Sequence, residues 1–428
     1  MQRRHITADQ VAECVRSLRP SDADRERVRG SVADVVEMVR SGGDAAIRRL
    51  TSRFDDVELE RLRVRPKDLA KAARDTPSRV MEALEMLAAN LRTTATETLP
   101  RPTRQILRQG QIVSTRPTPV DRAGVYAPGG LAAYPSSAVM AIVPAQVAGV
   151  PEIAVCSPPG LNGLPAAAVL AACRLLGVDE VYAIGGAQAI AALALGTETI
   201  APVDVLVGPG NAFVEEAKRG LFGEVGIESL AGPSELVVLA DASAPPDVVA
   251  WDLLAQAEHG AGSSSIVVSV EGDVLDAIAS AIEGHGADGI TLLHADTWET
   301  ALAFVNRYAP EHLQLMVDDA PAMLDRVRHA GAIFLGPMSG TAFGDYVAGS
   351  NHILPTGGRG RFSSGLTPAV FVRIQEVVEV PEAAVAALAA PLAELARAEG
   401  LPAHARSAEI RAERLAVAPP STTKGATS

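Results

Sequence analysis

Carboxylate, imidazole and amide side chains occur at four places along the chain where their spacing could support catalysis or metal binding. The first place is Gln256 and His259, three residues apart near the end of a helix that is predicted to begin after Pro245-Pro246. Both side chains would project from one helical face, so the pair could hold a metal ion. The same pattern also suits an ordinary polar helix end, where an imidazole beside Gly260 interacts favourably with the helix dipole.

The second place is the adjacent pair Glu311 and His312, which sets a carboxylate beside an imidazole. Both groups can move protons near neutral pH, so the pair would suit a reaction that takes one proton from an alcohol and later another from water. The alternative is a simple helix start, with Pro310 at the first position and an acid in the first turn.

The other two places lie closer to the carboxyl end. Asp345 and His352 belong to the glycine-rich polar segment 344–352, a composition typical of functional loops and also of solvent-exposed turns. His404 ends the segment Glu399-Gly-Leu-Pro-Ala-His404, where its default location is the surface. Each of the four signals is therefore ambiguous by itself.

Hydrophobic periodicity predicts the elements that must position these side chains. Residues 1 to about 100 are predicted to be helical, with a capping-box pattern at Thr7-Ala8-Asp9-Gln10 and a helix at 31–40 that stops at Gly42-Gly43. From Gly124 short buried strands alternate with alanine-rich helices, which predicts parallel α/β sheets, and after Gly365 the pattern becomes helical. The predicted strands lie at 124–127, 152–156, 181–186, 204–208, 235–240, 265–270, 289–293 and 331–336.

Three glycine-bearing turns follow successive strands in the middle of the chain. They are Tyr126-Ala-Pro-Gly-Gly130, Gly185-Gly-Ala-Gln188 and Gly208-Pro-Gly-Asn211. Open sheets bind ligands outside the carboxyl ends of their strands, and a helix that starts there can receive a phosphate on its free N–H groups. The turns therefore predict a cofactor crevice, although glycine-rich turns between strand and helix are often purely structural.

Composition limits the class of protein. The 428 residues are 48% hydrophobic, enough to build two or three domains of ~150 residues each. A net charge of −13 opposes binding to nucleic acid, and no apolar run reaches the ~20 residues of a membrane span. The start of the chain does not resemble a signal peptide, so a cytoplasmic location is predicted. Cys14, Cys156 and Cys173 are scattered without metal-ligand spacing, which favours core packing.

Taken together, these segments resemble the histidinol dehydrogenase family from about Ala8 to Glu413. The motifs that carry the resemblance occur in the family's order. They lie at 126–130, 208–211, 231–235, 254–260, 308–313, 344–355, 362–366 and 398–404.

The resemblance implies an α/β fold with two tandem, incomplete Rossmann-like parallel-sheet domains and helical segments at both termini. The implied boundaries place an N-terminal helical segment at 1–26 and a first α/β domain, on the metal and substrate side, at 27–124 with 231–367. A second α/β domain, on the cofactor side, is implied at 125–230. A helical tail at 368–428 is implied to reach a partner subunit. The composition of its last residues, 418–428, predicts disorder.

The resemblance also implies the site. The family's zinc ligands fall on Gln256, His259, Asp345 and His404, a set of nitrogen and oxygen donors that suits Zn²⁺. Its proton-transfer pair falls on His312, which takes the alcohol proton, and Glu311, which activates water. Further positions that contact the substrate fall on Ser234, His352 and Glu399, and those that contact NAD fall on Tyr126, Gln188 and Asn211.

The implied activity is the oxidation of L-histidinol through the aldehyde to L-histidine, with two hydride transfers to two NAD molecules. The implied assembly is a homodimer in which each tail completes the partner's site. Three alternatives remain open: a paralogue that oxidises another polar alcohol such as a sulfonated diol, a metal-dependent hydrolase that uses Glu311 as its base, and a non-catalytic binding protein.

Overall fold

A computed structural model describes residues 1–19, 22–129, 133–260, 262–286 and 288–417. Two compact units make up the described chain. The first comprises Met1–Leu99 and Pro119–Phe371, and the second comprises Pro100–Thr118 and the described part of Val372–Ser428.

Strands and helices alternate through most of the first unit. The strands of the described residues are β1 (Gln2–Ile6), β2 (Thr103–Ile106), β3 (Ile112–Pro119), β4 (Arg122–Tyr126), β5 (Glu152–Ser157), β6 (Val181–Ala183), β7 (Val205–Val207), β8 (Gly226–Ile227), β9 (Glu235–Ala240), β10 (Ser264–Ser269), β11 (Ile290–Ala295), β12 (His312–Met316), β13 (Ala332–Leu335) and β14 (Val372–Glu379). The α-helices are α1 (Val11–Ser17), α2 (Asp22–Asp55), α3 (Pro66–Asp75), α4 (Ser78–Glu97), α5 (Pro135–Ala148), α6 (Ala167–Leu175), α7 (Gly186–Leu195), α8 (Ala212–Leu221), α9 (Pro246–Ala257), α10 (Gly272–Ile282), α11 (Trp298–Tyr308), α12 (Ala320–Leu324), α13 (Thr341–Asp345), α14 (Glu382–Ala398) and α15 (Pro402–Val417).

One sheet of the first unit has the strand order β6-β5-β4-β7-β8, and all its pairs are parallel. In chain order, β5 and β6 are added on one side of β4, and β7 and β8 are then added on its other side. The order therefore reverses between β4 and β7, which makes this the topological switch point where open α/β sheets bind ligands. Strand β4 and the short strands β6 and β7 are buried along their whole length, as parallel strands covered on both faces require.

The second sheet of the first unit repeats this order as β11-β10-β9-β12-β13, with β1 added beside β11. All its pairs are parallel, and β9 lies at its centre between β10 and β12. Two apolar clusters cover its faces, one with side chains of α1 and α11 and the other with side chains of α9 and α10. The predicted α/β class with two parallel sheets is confirmed.

The predicted helical start of the chain is wrong for its first residues, because Gln2–Ile6 forms an edge strand. Only Ile6 of this strand is buried, so its polar side chains carry no strand periodicity, and backbone pairing with β11 decides its conformation. The capping box at Thr7 is confirmed, and a short 3₁₀ turn leads from it into α1. The predicted helix end at Gly42-Gly43 is also confirmed: the backbone of Gly43 is non-helical (φ +47°, ψ −136°) and divides α2 into two helical segments, the second of which ends at Asp55.

The second unit combines a three-stranded sheet with α14 and α15, which lie in the predicted helical tail. Strand β3 lies between β14 and an antiparallel β2, and α14 packs against α15 through Ala393, Ala396 and Ala405. The sheet was not expected, because seven of the eight side chains of β14 are exposed and its hydrophobic pattern is weak. The segment 418–428, predicted to be disordered, lies outside the described residues.

Two simpler expectations can also be compared with the structure. Cys14, Cys156 and Cys173 are buried free thiols, as core packing predicts. Within the described ranges, none of the helices is long and apolar enough to cross a membrane.

Candidate active site

Glu311 and His312 lie where a loop enters the central region of the six-stranded sheet. Helix α11 ends at Tyr308 and is capped by Ala309, a buried residue in the left-handed conformation (φ +47°), and Pro310 prevents the helix from continuing. His312 then opens β12, paired with Leu236 of β9. The reading of this segment as a helix start is therefore wrong: pairing with neighbouring strands on both sides overrides a local pattern that also fits a helix.

The Glu311 carboxylate is buried and held by two donors. Its Oε2 accepts hydrogen bonds from Ser234 Oγ at 2.6 Å and from the backbone N–H of Glu235 at 2.9 Å. Burial raises the pKa of Glu311, while the neighbouring His312 and these two donors oppose the rise. A carboxyl group with a raised pKa is a stronger proton acceptor than an ordinary surface carboxylate, which suits a general base.

The His312 imidazole lies between two carboxylates. Its Nδ1 is 3.3 Å from the carbonyl oxygen of Glu235 and 3.5 Å from Glu311 Oε2, and its Nε2 is 3.3 Å from Asp345 Oδ1. In the described part of the chain the buried Nε2 has no aligned hydrogen-bond partner, so this nitrogen remains available. Burial lowers the pKa of His312, but the charges of Glu311 and Asp345 outweigh burial and raise it to about 9.

Asp345, the last residue of the short helix α13, links His312 to a second imidazole. Its backbone oxygen lies 2.9 Å from Nδ1 of His352, whose Nε2 lies 3.0 Å from Ser137 Oγ. Burial raises the pKa of Asp345, but the adjacent His312 and the nearby His352 and His259 outweigh burial through their positive charge, and the net shift is downward. Burial lowers the pKa of His352, so this imidazole is held neutral.

Gln256 and His259 lie at the end of α9, as predicted, but they differ in exposure. Gln256 is buried, and its Nε2 has no hydrogen-bond partner among the described residues. His259 is exposed, and its Nδ1 is 3.2 Å from the backbone oxygen of Gln256, which leaves Nε2 for a ligand. An unpaired buried amide is costly unless a ligand satisfies it, so this end of α9 has the character of a binding site.

The donors of the first unit can be compared with what a metal ion requires. Over the described ranges, no three His, Cys, Asp or Glu side chains gather closely enough to hold a metal by themselves. The first unit offers one imidazole, one carboxylate and one amide, from His259, Asp345 and Gln256. These nitrogen and oxygen donors fit Zn²⁺ in kind, and the set needs a further ligand to reach four.

The three predicted cofactor residues follow strands of the five-stranded sheet. Tyr126 ends β4, Gln188 lies in the first turn of α7 after β6, and Asn211 caps α8 after β7. The Tyr126 hydroxyl accepts a hydrogen bond from the Gly186 N–H at 3.1 Å, which joins two of the glycine turns. The third turn starts at Gly208, where φ is +127° and a Cβ would clash with the Tyr126 carbonyl oxygen. Tyr126 and Gly208 thus lie at the switch point between β4 and β7.

Glu399 and His404 belong to the second unit. Glu399 follows the end of α14, and His404 lies in the first turn of α15. Both are exposed and line a groove between these two helices.

Glu235 is a buried residue near the site for which no role was predicted. Its Oε1 accepts hydrogen bonds from Arg19 at 3.3 Å and from the Gly357 N–H at 3.1 Å. Burial raises its pKa to about 7 despite the Arg19 charge. Arg19 also donates to the backbone oxygen of Tyr308 and stacks 4.4 Å above its ring. Through Arg19, Glu235 therefore ties the N-terminal segment to β9, the strand that pairs with β12 where His312 begins it.

Two further contacts were also missed. Ser137, at the start of α5, fixes His352, and the pair Lys218–Glu228 holds the turn that begins at Gly208. Glu235 lies in the motif 231–235, which offered a signal, whereas a lysine and a glutamate ten residues apart offered none.

Comparison with known proteins decides the family. The family model described as histidinol dehydrogenase matches residues 18–412. The chain belongs to the histidinol dehydrogenase family. The resemblance drawn from the motifs is thereby confirmed, and membership makes the chain an oxidoreductase.

Individual relatives agree with this membership. The chain is 44% identical to the histidinol dehydrogenase of Geobacillus kaustophilus (strain HTA426) over 413 residues, which cover 92% of this chain and 96% of the relative. It is 40% identical to that of Bacillus subtilis (strain 168) over 417 residues, covering 94% and 98%. The crystal structure of histidinol dehydrogenase from Elizabethkingia anophelis superposes with a TM-score of 0.91 at 31% identity, over 97% of this chain and 99% of that one.

Proposed function

We propose that this chain is a zinc-dependent, NAD-linked dehydrogenase that oxidises L-histidinol through the aldehyde to L-histidine, the last step of histidine biosynthesis. The observation that carries the proposal is the buried pair Glu311 and His312 beside Asp345, in a member of the histidinol dehydrogenase family. Two proton acceptors at one place suit a reaction that deprotonates first an alcohol and then a water molecule.

Gln256, His259, Asp345 and His404 would hold the zinc ion. The unpaired Gln256 amide and the nitrogen and oxygen donor set support this assignment. When bound, zinc supplies a fixed positive charge that orients the polar groups of the substrate and polarises its oxygen. If Asp345 held a cation, one of the two carboxylate charges that raise the pKa of His312 would be offset, which would favour the neutral imidazole that a base needs.

His312 would accept the proton of the substrate alcohol. Its Nε2 is the available nitrogen, because Nδ1 lies 3.3 Å from the Glu235 carbonyl oxygen, which also fixes the plane of the ring. Glu311 would accept the proton of the water that adds to the aldehyde. Its carboxylate is oriented by Ser234 and the Glu235 N–H, so the same Ser234 hydroxyl could orient both base and substrate.

The remaining polar residues would bind substrate and cofactor. His352, held neutral, and Glu399 would contact the polar groups of the substrate. Tyr126, Gln188 and Asn211 would bind NAD, which accepts the hydride. This assignment is supported by the turns that carry these residues, which follow strands of the sheet whose order reverses between β4 and β7. A cytoplasmic location and the absence of nucleic-acid and membrane partners complete the proposal.

The assembly proposed is a homodimer in which His404 and Glu399 serve the partner's site. The second unit exposes Leu392, Leu395 and Leu401 beside these two residues, a concentration of apolar surface suited to a protein interface. An interface with two-fold symmetry would create two such sites at once.

Mixed dimers test this arrangement. His259→Ala and His404→Ala chains, each inactive alone, are expected to regain roughly a quarter of native activity when unfolded together and reassembled, because half the dimers are mixed and one of their two sites is intact. Activity is measured across mixing ratios, with each variant refolded alone as the control. Mixed dimers that form but remain inactive would contradict the shared site and leave the zinc assignment in place.

NADH formation tests the function itself. The zinc-loaded protein is mixed with NAD and either L-histidinol or a sulfonated diol, and NADH is followed by its near-ultraviolet absorbance. We expect rapid NADH formation with L-histidinol and none with the sulfonated diol. A faster reaction with the diol would support a paralogous dehydrogenase, and consumption of histidinol without NADH would support a hydrolase.

A further inference from the structure

A buried ion pair in the five-stranded half of the first unit has no role in the chemistry described so far. Lys218 Nζ, from α8, lies 2.7 Å from Glu228 Oε1, and the two side chains are 1% and 0% exposed. The second carboxylate oxygen of Glu228 is buried too, and it has no partner in the described ranges. Buried ion pairs rarely add stability, because removing two charges from water costs about as much as their attraction returns. The pair therefore needs another explanation.

Both members of the pair hold the backbone of Gly208. The Gly208 N–H donates to Glu228 Oε1 at 2.9 Å, and Lys218 Nζ donates to the Gly208 carbonyl oxygen at 3.1 Å. Gly208 needs this support, because it adopts φ +127° and passes so close to Tyr126 that a side chain there would clash. The pair thus fixes both polar groups of a residue in an unusual conformation.

The backbone conformation of Gly208 sets the direction of the turn 208–211 and of the start of α8. Gly208 is the first residue after β7, and three residues later Asn211 caps α8 by accepting hydrogen bonds from the N–H groups of Phe213 and Val214, each at 3.1 Å. The side-chain oxygen of Asn211 is therefore occupied, and its side-chain NH₂ group is left for a ligand. Because Lys218 comes from α8 itself, the pair connects the start of the turn to the body of the helix that follows it.

We propose that Lys218 and Glu228 are positioning residues for NAD, which clamp Gly208 so that the turn 208–211 presents Asn211 and the start of α8 to the cofactor at the switch point. The inference rests on the proposed function. It predicts that loss of the clamp weakens NAD binding while leaving the zinc site and the catalytic pair intact, since none of their residues belongs to the five-stranded sheet.

The test compares Lys218→Met with the double variant Lys218→Met/Glu228→Leu. Both are expected to raise the Kd and the KM for NAD at least about tenfold, by analogy with the ten- to hundredfold contributed by supporting residues around metal sites. The KM for L-histidinol and the zinc content should stay unchanged. The single variant leaves an unpaired buried carboxylate and should lower Tm, whereas the double variant removes both charges and should recover Tm without recovering NAD affinity.

The matched control is Arg122→Met, which removes a buried cation at the amino-terminal end of the central strand β4, whereas Gly208 follows the carboxyl end of the neighbouring strand β7. Arg122 begins β4 and pairs with Glu152 at 2.6 Å and with Glu180. We expect a lower Tm and an unchanged Kd for NAD. Binding is measured by calorimetry, and hydrogen–deuterium exchange of the peptide that covers 208–211 reports whether the turn has loosened.

Three outcomes would contradict a positioning role for Lys218 and Glu228. They are native NAD affinity in the double variant, an equal loss of NAD affinity in Arg122→Met, and unchanged hydrogen exchange of the turn 208–211 in the Lys218 variants. If the unaltered chain binds NAD without oxidising L-histidinol, the proposed substrate fails and calorimetry still decides the role of the clamp. If the unaltered chain does not bind NAD, both proposals fail.

Discussion

Asp345→Ala and His259→Ala are expected to lose most of their activity and of their bound zinc. Residues that only support a metal ligand contribute about ten- to a hundredfold to metal affinity, so removal of a ligand should reduce zinc affinity and kcat by at least about a hundredfold. In Asp345→Ala, His312 also loses the carboxylate 3.3 Å from its Nε2. Zinc per chain is measured by elemental analysis, and turnover is measured with saturating NAD and L-histidinol.

The matched controls are Asp325→Ala and His285→Ala, which remove an exposed carboxylate and an exposed imidazole of the same unit. Both should keep native zinc content and turnover. Full zinc content with normal turnover in either ligand variant would refute the metal assignment. Normal zinc with lost turnover in Asp345→Ala would limit Asp345 to orienting His312.

Glu311→Gln and His312→Ala are expected to separate the two oxidation steps. Positioned bases contribute about a hundred- to ten-thousandfold, so Glu311→Gln should slow the oxidation of supplied aldehyde by that factor while keeping more of the alcohol step. Glutamine can still accept the hydrogen bonds of Ser234 and the Glu235 N–H, which preserves the geometry around His312. His312→Ala should impair both steps, because it removes the base for the alcohol and the imidazole beside Glu311.

Each half-reaction is measured by supplying L-histidinol or the aldehyde in single-turnover experiments, with the exposed Glu283→Gln as the control. Equal losses on both steps in Glu311→Gln would argue against the division of roles. A larger loss on the alcohol step than on the aldehyde step would reverse the assignment of the two bases.

The sequence predicted those parts of the fold that rest on buried apolar runs. Strand β9, for example, occupies the predicted residues 235–240, because all six of its side chains are buried and apolar periodicity reports burial directly. The glycine turns after β4, β6 and β7 were predicted for a related reason, since a close backbone approach such as that of Gly208 to Tyr126 admits only glycine.

Elements stabilised by distant backbone pairing escaped prediction. Most side chains of β1 and β14 are exposed, and neither strand shows a sustained alternation of buried and exposed residues, so only their partners in the sheets fix them. His312 opens a strand although Pro310 and Glu311 fit a helix start, because local propensity cannot register the neighbours β9 and β13. The roles of Glu235 and Lys218 depend on contacts between residues far apart in the chain or on backbone groups, which spacing does not reveal.

The most direct test of the proposed four-electron oxidation is the number of NADH molecules formed for each L-histidinol consumed. Zinc-loaded protein is incubated with limiting L-histidinol and excess NAD until absorbance stops rising, and the amino-acid product is quantified. We expect two NADH and one L-histidine per L-histidinol, with no free aldehyde. One NADH per L-histidinol with aldehyde released into solution, or complete consumption of L-histidinol without NADH, would contradict it.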